Sequence, residues 1–273
     1  GTAKIGVELE ERDTGHGRHR GDLEGRVALI SGGAGGIGAA TARALAGRGC
    51  RIVVFDLPKA APEKIADEIS ESVGGADVWP VAGSVTDPDA LRRLVAVVVD
   101  RWGSLDIAVN SAGVPDPRKP VAEIDDEEWA LVLGTHLTGT FNVCRAVVPV
   151  MTAAGWGRIV NITSSAAWAP GPGIAPYAAA KAGITGFTRS LAAEVGRFGV
   201  TANCVAPGLT ATPRVVAGDA DRLADRAERL GVVVGPRPAT PDEVAAGISY
   251  LCSASAAFTT GTTLHINGGA YVS

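Results

Sequence analysis

"RVALISGGAGGIGAATARALAGRG", residues 26–49, joins a short apolar run, a glycine-rich turn and a stretch with helical spacing. An unbroken apolar run such as "VALIS" suits a strand covered on both faces. The apolar positions of "IGAATARALA" recur at helical spacing, and Gly49 ends the run. Between the two units stand Gly32, Gly36 and Gly38. Gly32 and Gly36 let the backbone turn tightly and approach a pyrophosphate. Gly38 lets the helix press onto the sheet, while the helix N-terminus offers free N–H groups to an anion. The spacing is not G-x-G-x-x-G, and a glycine-rich loop alone is also compatible with a plain tight turn. The strand before it and the helix after it are the context a phosphate-binding turn requires.

The same alternation continues outward. "RIVVFD" (51–56), "DVWPVAG" (77–83), "LDIAVN" (105–110), "GRIVNIT" (157–163), "VTANCVAP" (200–207) and "TTLHIN" (262–267) read as six further strands. Helices are predicted over roughly 60–73, 88–102, 126–153, 176–197 and 241–253, with Thr86 or Asp87 capping the second and Pro88 at its first position. Strands alternating with helices imply right-handed crossovers and a parallel α/β sheet covered on both faces, in a single domain. Residues 1–22 are polar and without clear periodicity, and read as an N-terminal extension, an arm or a disordered stretch, before a domain over 23–273. Residues 209–240 read as one irregular charged segment of the kind used for lids and binding loops.

Composition excludes several classes. The net charge of −4 argues against a nucleic-acid partner. No apolar run approaches the ~18 residues that would span a membrane. The stretch around Glu8–Asp13 lacks the apolar segment of a secretory signal. Cys50, Cys144, Cys204 and Cys252 are scattered, which predicts reduced thiols of a cytoplasmic protein and no metal site.

Asp56 ends the second strand, 24 residues after Gly32. A carboxylate there can accept hydrogen bonds from both hydroxyls of an adenosine ribose and repels a 2′-phosphate. With Leu57 after it and no cation in the turn 31–38, NAD is expected rather than NADP. A helix cap is the plainer alternative. "PYAAAK", residues 176–181, then sets Tyr177 and Lys181 four apart at the start of a helix following the fifth strand. Residues i and i+4 share a helix face. A nearby ammonium favours a phenolate, so the pair is expected to make the tyrosine a general acid/base near neutral pH.

With these motifs in order, the chain resembles the short-chain dehydrogenase/reductase family, classical type, from about residue 23 to 273. The resemblance rests on "SGGAGGIG" (31–38), "NSAG" (110–113), the serine upstream of the tyrosine, "YAAAK" (177–181), "PGLTAT" (207–212) and the closing "NGG" (267–269). It implies a Rossmann-type doubly wound parallel sheet of about seven strands. It also implies an NAD-dependent enzyme interconverting a small secondary alcohol and a ketone. Ser164, thirteen residues before Tyr177, would polarise the substrate oxygen, with Ser165 as the neighbouring candidate. Tyr177 would exchange the proton, and Lys181 would tune it and hold the nicotinamide ribose. Cofactor contacts would come from Gly32, Gly36, Ile37, Gly38, Asp56, Leu57, Ser84, Val85, Asn110, Ala112, Gly113, Pro207, Gly208, Leu209 and Thr212. Trp168 and Ile174 are candidates for the substrate pocket.

Two positions depart from the family pattern. His136 in "GTHLTGTFN" stands where an asparagine usually helps hold a water linked to the lysine. An imidazole could do a similar task and add a titration near pH 6.5, although packing alone also accounts for it. Ser84 replaces an aspartate that commonly binds the adenine amino group. Arg214, Arg222, Arg226 and Arg229 could recognise a carboxylate or the phosphates of a carrier-bound substrate, a solvated face being the plainer reading. Small residues at Ala178, Ala179, Ala182, Gly183 and Gly186, with Trp129 and Phe141 on the long helix, suggest the family's homodimer or homotetramer contact. A carrier-linked 3-oxoacyl reductase and a non-catalytic NAD-sensing or interaction protein are the alternatives.

Overall fold

The computed structural model describes residues 22–116, 118–219, 223–235 and 237–272. Residues 1–21 of the expected extension, and Arg222, lie outside these. Seven parallel strands form one sheet in the order β3-β2-β1-β4-β5-β6-β7. They are β1 (Val27–Ser31), β2 (Arg51–Asp56), β3 (Val78–Ala82), β4 (Ile107–Asn110), β5 (Gly157–Ile162), β6 (Val200–Pro207) and β7 (Thr263–Ile266). The helices α1 (Gly36–Ala46), α2 (Pro62–Ser72), α3 (Pro88–Trp102), α4 (Asp126–Leu133), α5 (Gly139–Ala154), α6 (Ala175–Val195) and α9 (Pro241–Cys252) connect them.

Alternate residues of each strand feed two separate cores. Val27, Leu29, Val53, Ala108, Ile159 and Ala202 face the side holding Leu91, Val98, Val147 and Leu191 of α3, α5 and α6. Ala28, Ile30, Ile52, Val109, Val160 and Val205 face the side holding Leu45, Ile69 and Ile248 of α1, α2 and α9. Both faces are thus covered, as the unbroken apolar strands require. Asp87 caps α3, its carboxylate accepting from the N–H groups of Asp89 and Ala90.

Two elements differ from expectation. The helix expected over 126–153 is interrupted by a widened π turn at Gly134–Thr138, which carries His136. A sequence period of 3.6 does not register one extra residue in a turn. The segment 209–240 is not irregular throughout. It contains α7 (Pro213–Asp219) and α8 (Leu223–Arg229), and a parallel bridge between Thr210 and Ala239 ties its two ends together. Helices this short have too few turns to show a periodic pattern. Among the described residues no helix is long and apolar enough to cross a membrane, and no group of three or more His, Cys, Asp or Glu could hold a metal ion.

Candidate active site

Between β1 and β4 the strand order reverses direction, and in such sheets the crevice at the carboxyl ends of the strands is where ligands bind. Gly32 follows β1 with φ +66°, and a Cβ on it would lie 2.5 Å from the Ala112 backbone nitrogen after β4. A Cβ on Gly38 would lie 2.0 Å from the Gly32 carbonyl oxygen. The turn therefore closes only around glycine at both positions. The N-terminus of α1 has no side-chain cap and no acidic residue in its first turn. Its N–H groups remain available to an anion.

A cavity of about 540 Å³ follows this edge. At the β2 end it is lined by Asp56, Leu57 and Lys59, then by Gly32, Gly36 and Ile37. At the β5–β6 end it is lined by Gly113, His136, Ser164, Tyr177, Lys181, Pro207, Gly208, Thr212 and Arg214. The Asp56 carboxylate is held by the N–H groups of Ala34 at 3.0 Å and Leu57 at 2.8 Å. Lys59 was not anticipated. It sits in a turn whose local sequence, Pro58–Ala60, says nothing about what it faces.

Tyr177 and Lys181 share the first turns of α6, with the ammonium 5.6 Å from the ring centroid. Burial pushes the phenol up from its ordinary pKa near 10. The neighbouring Ser164 hydroxyl works the other way, the Asp116 carboxylate adds to the rise, and the Arg214 charge opposes it. The expected lowering by Lys181 is thus corrected. Its ammonium donates to the Ile162 carbonyl at 2.7 Å, and burial lowers its own pKa to about 8. The Lys181 carbonyl in turn accepts from Thr163 at 2.7 Å.

The His136 ring meets Tyr177 edge to face at 5.3 Å. Its Nε2 lies 3.1 Å from the Val114 carbonyl, and its buried Nδ1 has no partner. Burial first, and the Lys181 charge second, lower its pKa to about 3, so the titration expected near pH 6.5 is absent.

Several expected contacts are placed elsewhere. Trp168 does not line the cavity. It packs against His265 (centroids 4.7 Å apart) and stacks on Tyr271. Ser165 donates to the Pro207 carbonyl at 3.1 Å, and Ile174 precedes α6 outside the cavity wall. Ser84 bonds Thr86, and Val85 is buried against Gly139, so neither lines the cavity. Leu209 faces a separate, smaller pocket with Val232 and Arg237. Ala112 backs the Gly32 turn. Asn110 points inward, donating to Asn161 at 2.8 Å, which donates to Thr188 on α6 at 2.8 Å. This buried chain joins β4, β5 and α6. Its Asn161 lay in plain view in "GRIVNIT" but has no local signal.

The family described as Enoyl-(Acyl carrier protein) reductase matches residues 32–271. The chain is 37% identical over 251 residues to 3-oxoacyl-[acyl-carrier-protein] reductase FabG of Vibrio cholerae serotype O1, covering 92% of this chain and 99% of that one. It is 38% identical over 244 residues to cis-4-hydroxycyclohexanecarboxylate dehydrogenase of Sinomonas cyclohexanicum, covering 89% and 96%. A solved short chain dehydrogenase/reductase family protein superposes with a TM-score of 0.80 at 34% identity, covering 92% of this chain and 99% of that one. The chain belongs to the short-chain dehydrogenase/reductase family. The crystal structure of levodione reductase is a further similar member, with TM-score 0.84 and 30% identity over 90% of this chain and 97% of that one. As a short-chain dehydrogenase/reductase the protein is an oxidoreductase that uses a nicotinamide cofactor. The glycine cradle, the uncapped α1 N-terminus and the Asp56 carboxylate fit such a group.

Proposed function

We propose that this short-chain dehydrogenase/reductase interconverts a secondary alcohol and a ketone with NAD, using Tyr177 as general acid/base. The observation that carries the reading is the convergence of Ser164, Tyr177 and Lys181 on one cavity that has Asp56 at its other end. When bound, the dinucleotide supplies the hydride acceptor or donor. Ser164 donates a hydrogen bond to the substrate oxygen and stabilises charge there. Tyr177, whose buried phenol is held protonated, gives its proton to that oxygen in the reductive direction and takes it back in the oxidative one. Lys181 anchors the helix end to β5 through the Ile162 carbonyl, and its remaining N–H groups would hold the nicotinamide ribose. His136, neutral and fixed to Val114, orients the loop after β4 against the phenol.

Gly32, Gly36, Ile37, Gly113, Pro207, Gly208 and Thr212 line the rest of the cavity that would hold the cofactor, and Gly38 packs α1 behind it. Asp56 favours the unphosphorylated ribose, though Lys59 beside it softens the repulsion of a 2′-phosphate. A carrier-linked 3-oxoacyl substrate is the second reading, favoured by identity to FabG along nearly the whole chain. A sensor without activity is disfavoured by the complete Ser-Tyr-Lys set. The test offers NADH and NADPH in turn with a panel of ketones and 3-oxoacyl thioesters. Wild type should turn over ketones faster with NADH, and Tyr177→Phe should lose roughly 10²-fold or more. Full activity in Tyr177→Phe removes the proton-transfer assignment. Turnover confined to thioesters selects the second reading.

A further inference from the structure

The cavity wall carries several charged or titratable side chains, three of which are committed, while Lys59 and Arg214 have no partner among the described residues. Asp56 is occupied by two backbone N–H groups, Lys181 by the Ile162 carbonyl and His136 by Val114. Lys59 stands at the adenosine end with Asp56. Arg214 is different. It lies on the first turn of α7, exposed, in the wall shared with Tyr177, His136 and Ser164, and none of the hydrogen bonds or ion pairs among the described residues involves it. An arginine presents a rigid fork of N–H donors matched to a carboxylate, and leaving that fork free in a cleft is a feature that a ligand can use.

The position of Arg214 gives its direction. Its charge acts on both the Tyr177 phenol and the His136 ring, which lie at the substrate end of the cavity. The Lys181 ammonium, already committed to Ile162, and the Asp116 carboxylate are the other charged groups near the phenol. That carboxylate does not line the cavity, and both its oxygens are shut off from solvent near the Arg118 cation. A substrate at the phenol therefore meets a cavity-facing positive charge.

We propose that Arg214 is the anchor for a carboxylate carried by the substrate, so that the enzyme acts on oxo acids or hydroxy acids in which the reacting carbon and the carboxylate are separated by the span from Tyr177 to α7. This deepens the oxidoreductase reading and rests on it. The cofactor pyrophosphate is the other anion within reach of α7, because a Cβ on Gly36 would lie 2.9 Å from Pro213. The experiment separates the two sources.

Turnover is measured with three matched ketones: 4-oxocyclohexanecarboxylate, its methyl ester, and cyclohexanone. NADH affinity is measured alongside by fluorescence, in wild type, Arg214→Gln and Arg214→Lys. Wild type should prefer the carboxylate to its ester in kcat/KM by on the order of tenfold or more, the size expected for a charge-assisted pair. Arg214→Gln should collapse that ratio, mainly through KM, and Arg214→Lys should restore part of it. A wild-type ratio near one, or a ratio that survives Arg214→Gln, overturns the assignment. So does a loss of NADH affinity in Arg214→Gln with the ratio intact, which would give the guanidinium to the pyrophosphate. No turnover of any of these ketones, or of the ketones and thioesters above, removes the proposed alcohol–ketone function and this inference with it. Turnover of the neutral ketones alone removes only the inference.

Discussion

His136 shows how one residue's chemistry is set by what surrounds it. In water an imidazole titrates near pH 6.5. Buried on the π turn, with Lys181 nearby, it titrates at about 3. The unfolded chain therefore binds a proton between pH 6.5 and 3 that the folded protein refuses. Stability should fall as pH drops through that window, the folded state being penalised as the unfolded imidazole charges. His136→Asn should flatten that part of the dependence, as read from urea midpoints between pH 7 and 4. An unchanged slope would show that the ring is solvated. Tyr177 follows the same rule in the opposite sense for an acid: burial holds its proton on. Sequence spacing correctly brought Tyr177 and Lys181 onto one face, since i and i+4 adjacency is a property of the helix alone. The sign of the phenol's shift was not legible there, because desolvation depends on neighbours from other elements.

The β1–turn–α1 unit is the element on which the cleft depends. Its glycines were readable from the sequence because backbone turning is a local demand, and the contacts at Gly32 and Gly38 supply the physical reason. Gly38→Ala would drive a methyl group into the Gly32 carbonyl. Either α1 moves away from the turn or the turn opens. We expect a loss of about 1–3 kcal/mol in stability together with weakened dinucleotide binding, checked by thermal melting and by titration with NADH. Normal binding and melting in that variant would mean the turn can relax elsewhere. The substrate-side elements were harder to read. The short helices α7 and α8 carry no repeat long enough to recognise, and the Trp168 loop could be placed near the pocket only by resemblance. Trp168 instead turns toward His265 and Tyr271, where aromatic contact with the C-terminal part of the chain outweighs lining a polar cleft.

The molecule as a whole leaves apolar side chains exposed on α4 and α5: Trp129 is 43% exposed and Leu131 58% on the first, Phe141 40% on the second. Phe141 meets Phe187 of α6 edge to face at 6.0 Å, so α5 and α6 share this surface. Apolar patches of this kind mark association surfaces. The chain is expected to run as a homodimer or homotetramer in light scattering, and Leu131→Asp with Phe141→Asp should shift it to a smaller species. A wild-type monomer would refute the expectation. At this scale the amino-acid sequence by itself determined the alternation of strands and helices, the parallel doubly covered sheet, the glycine cradle and the Tyr177–Lys181 turn. Each of these follows from local periodicity, turn chemistry or spacing within one element. Only the tertiary structure decided that Lys59 and Arg214 enter the cavity while Trp168, Ser84, Val85 and Leu209 stay out, and that His136 is neutral. Those outcomes depend on which distant segments meet and on how much water their meeting removes, and neither quantity is carried by any short stretch of the chain.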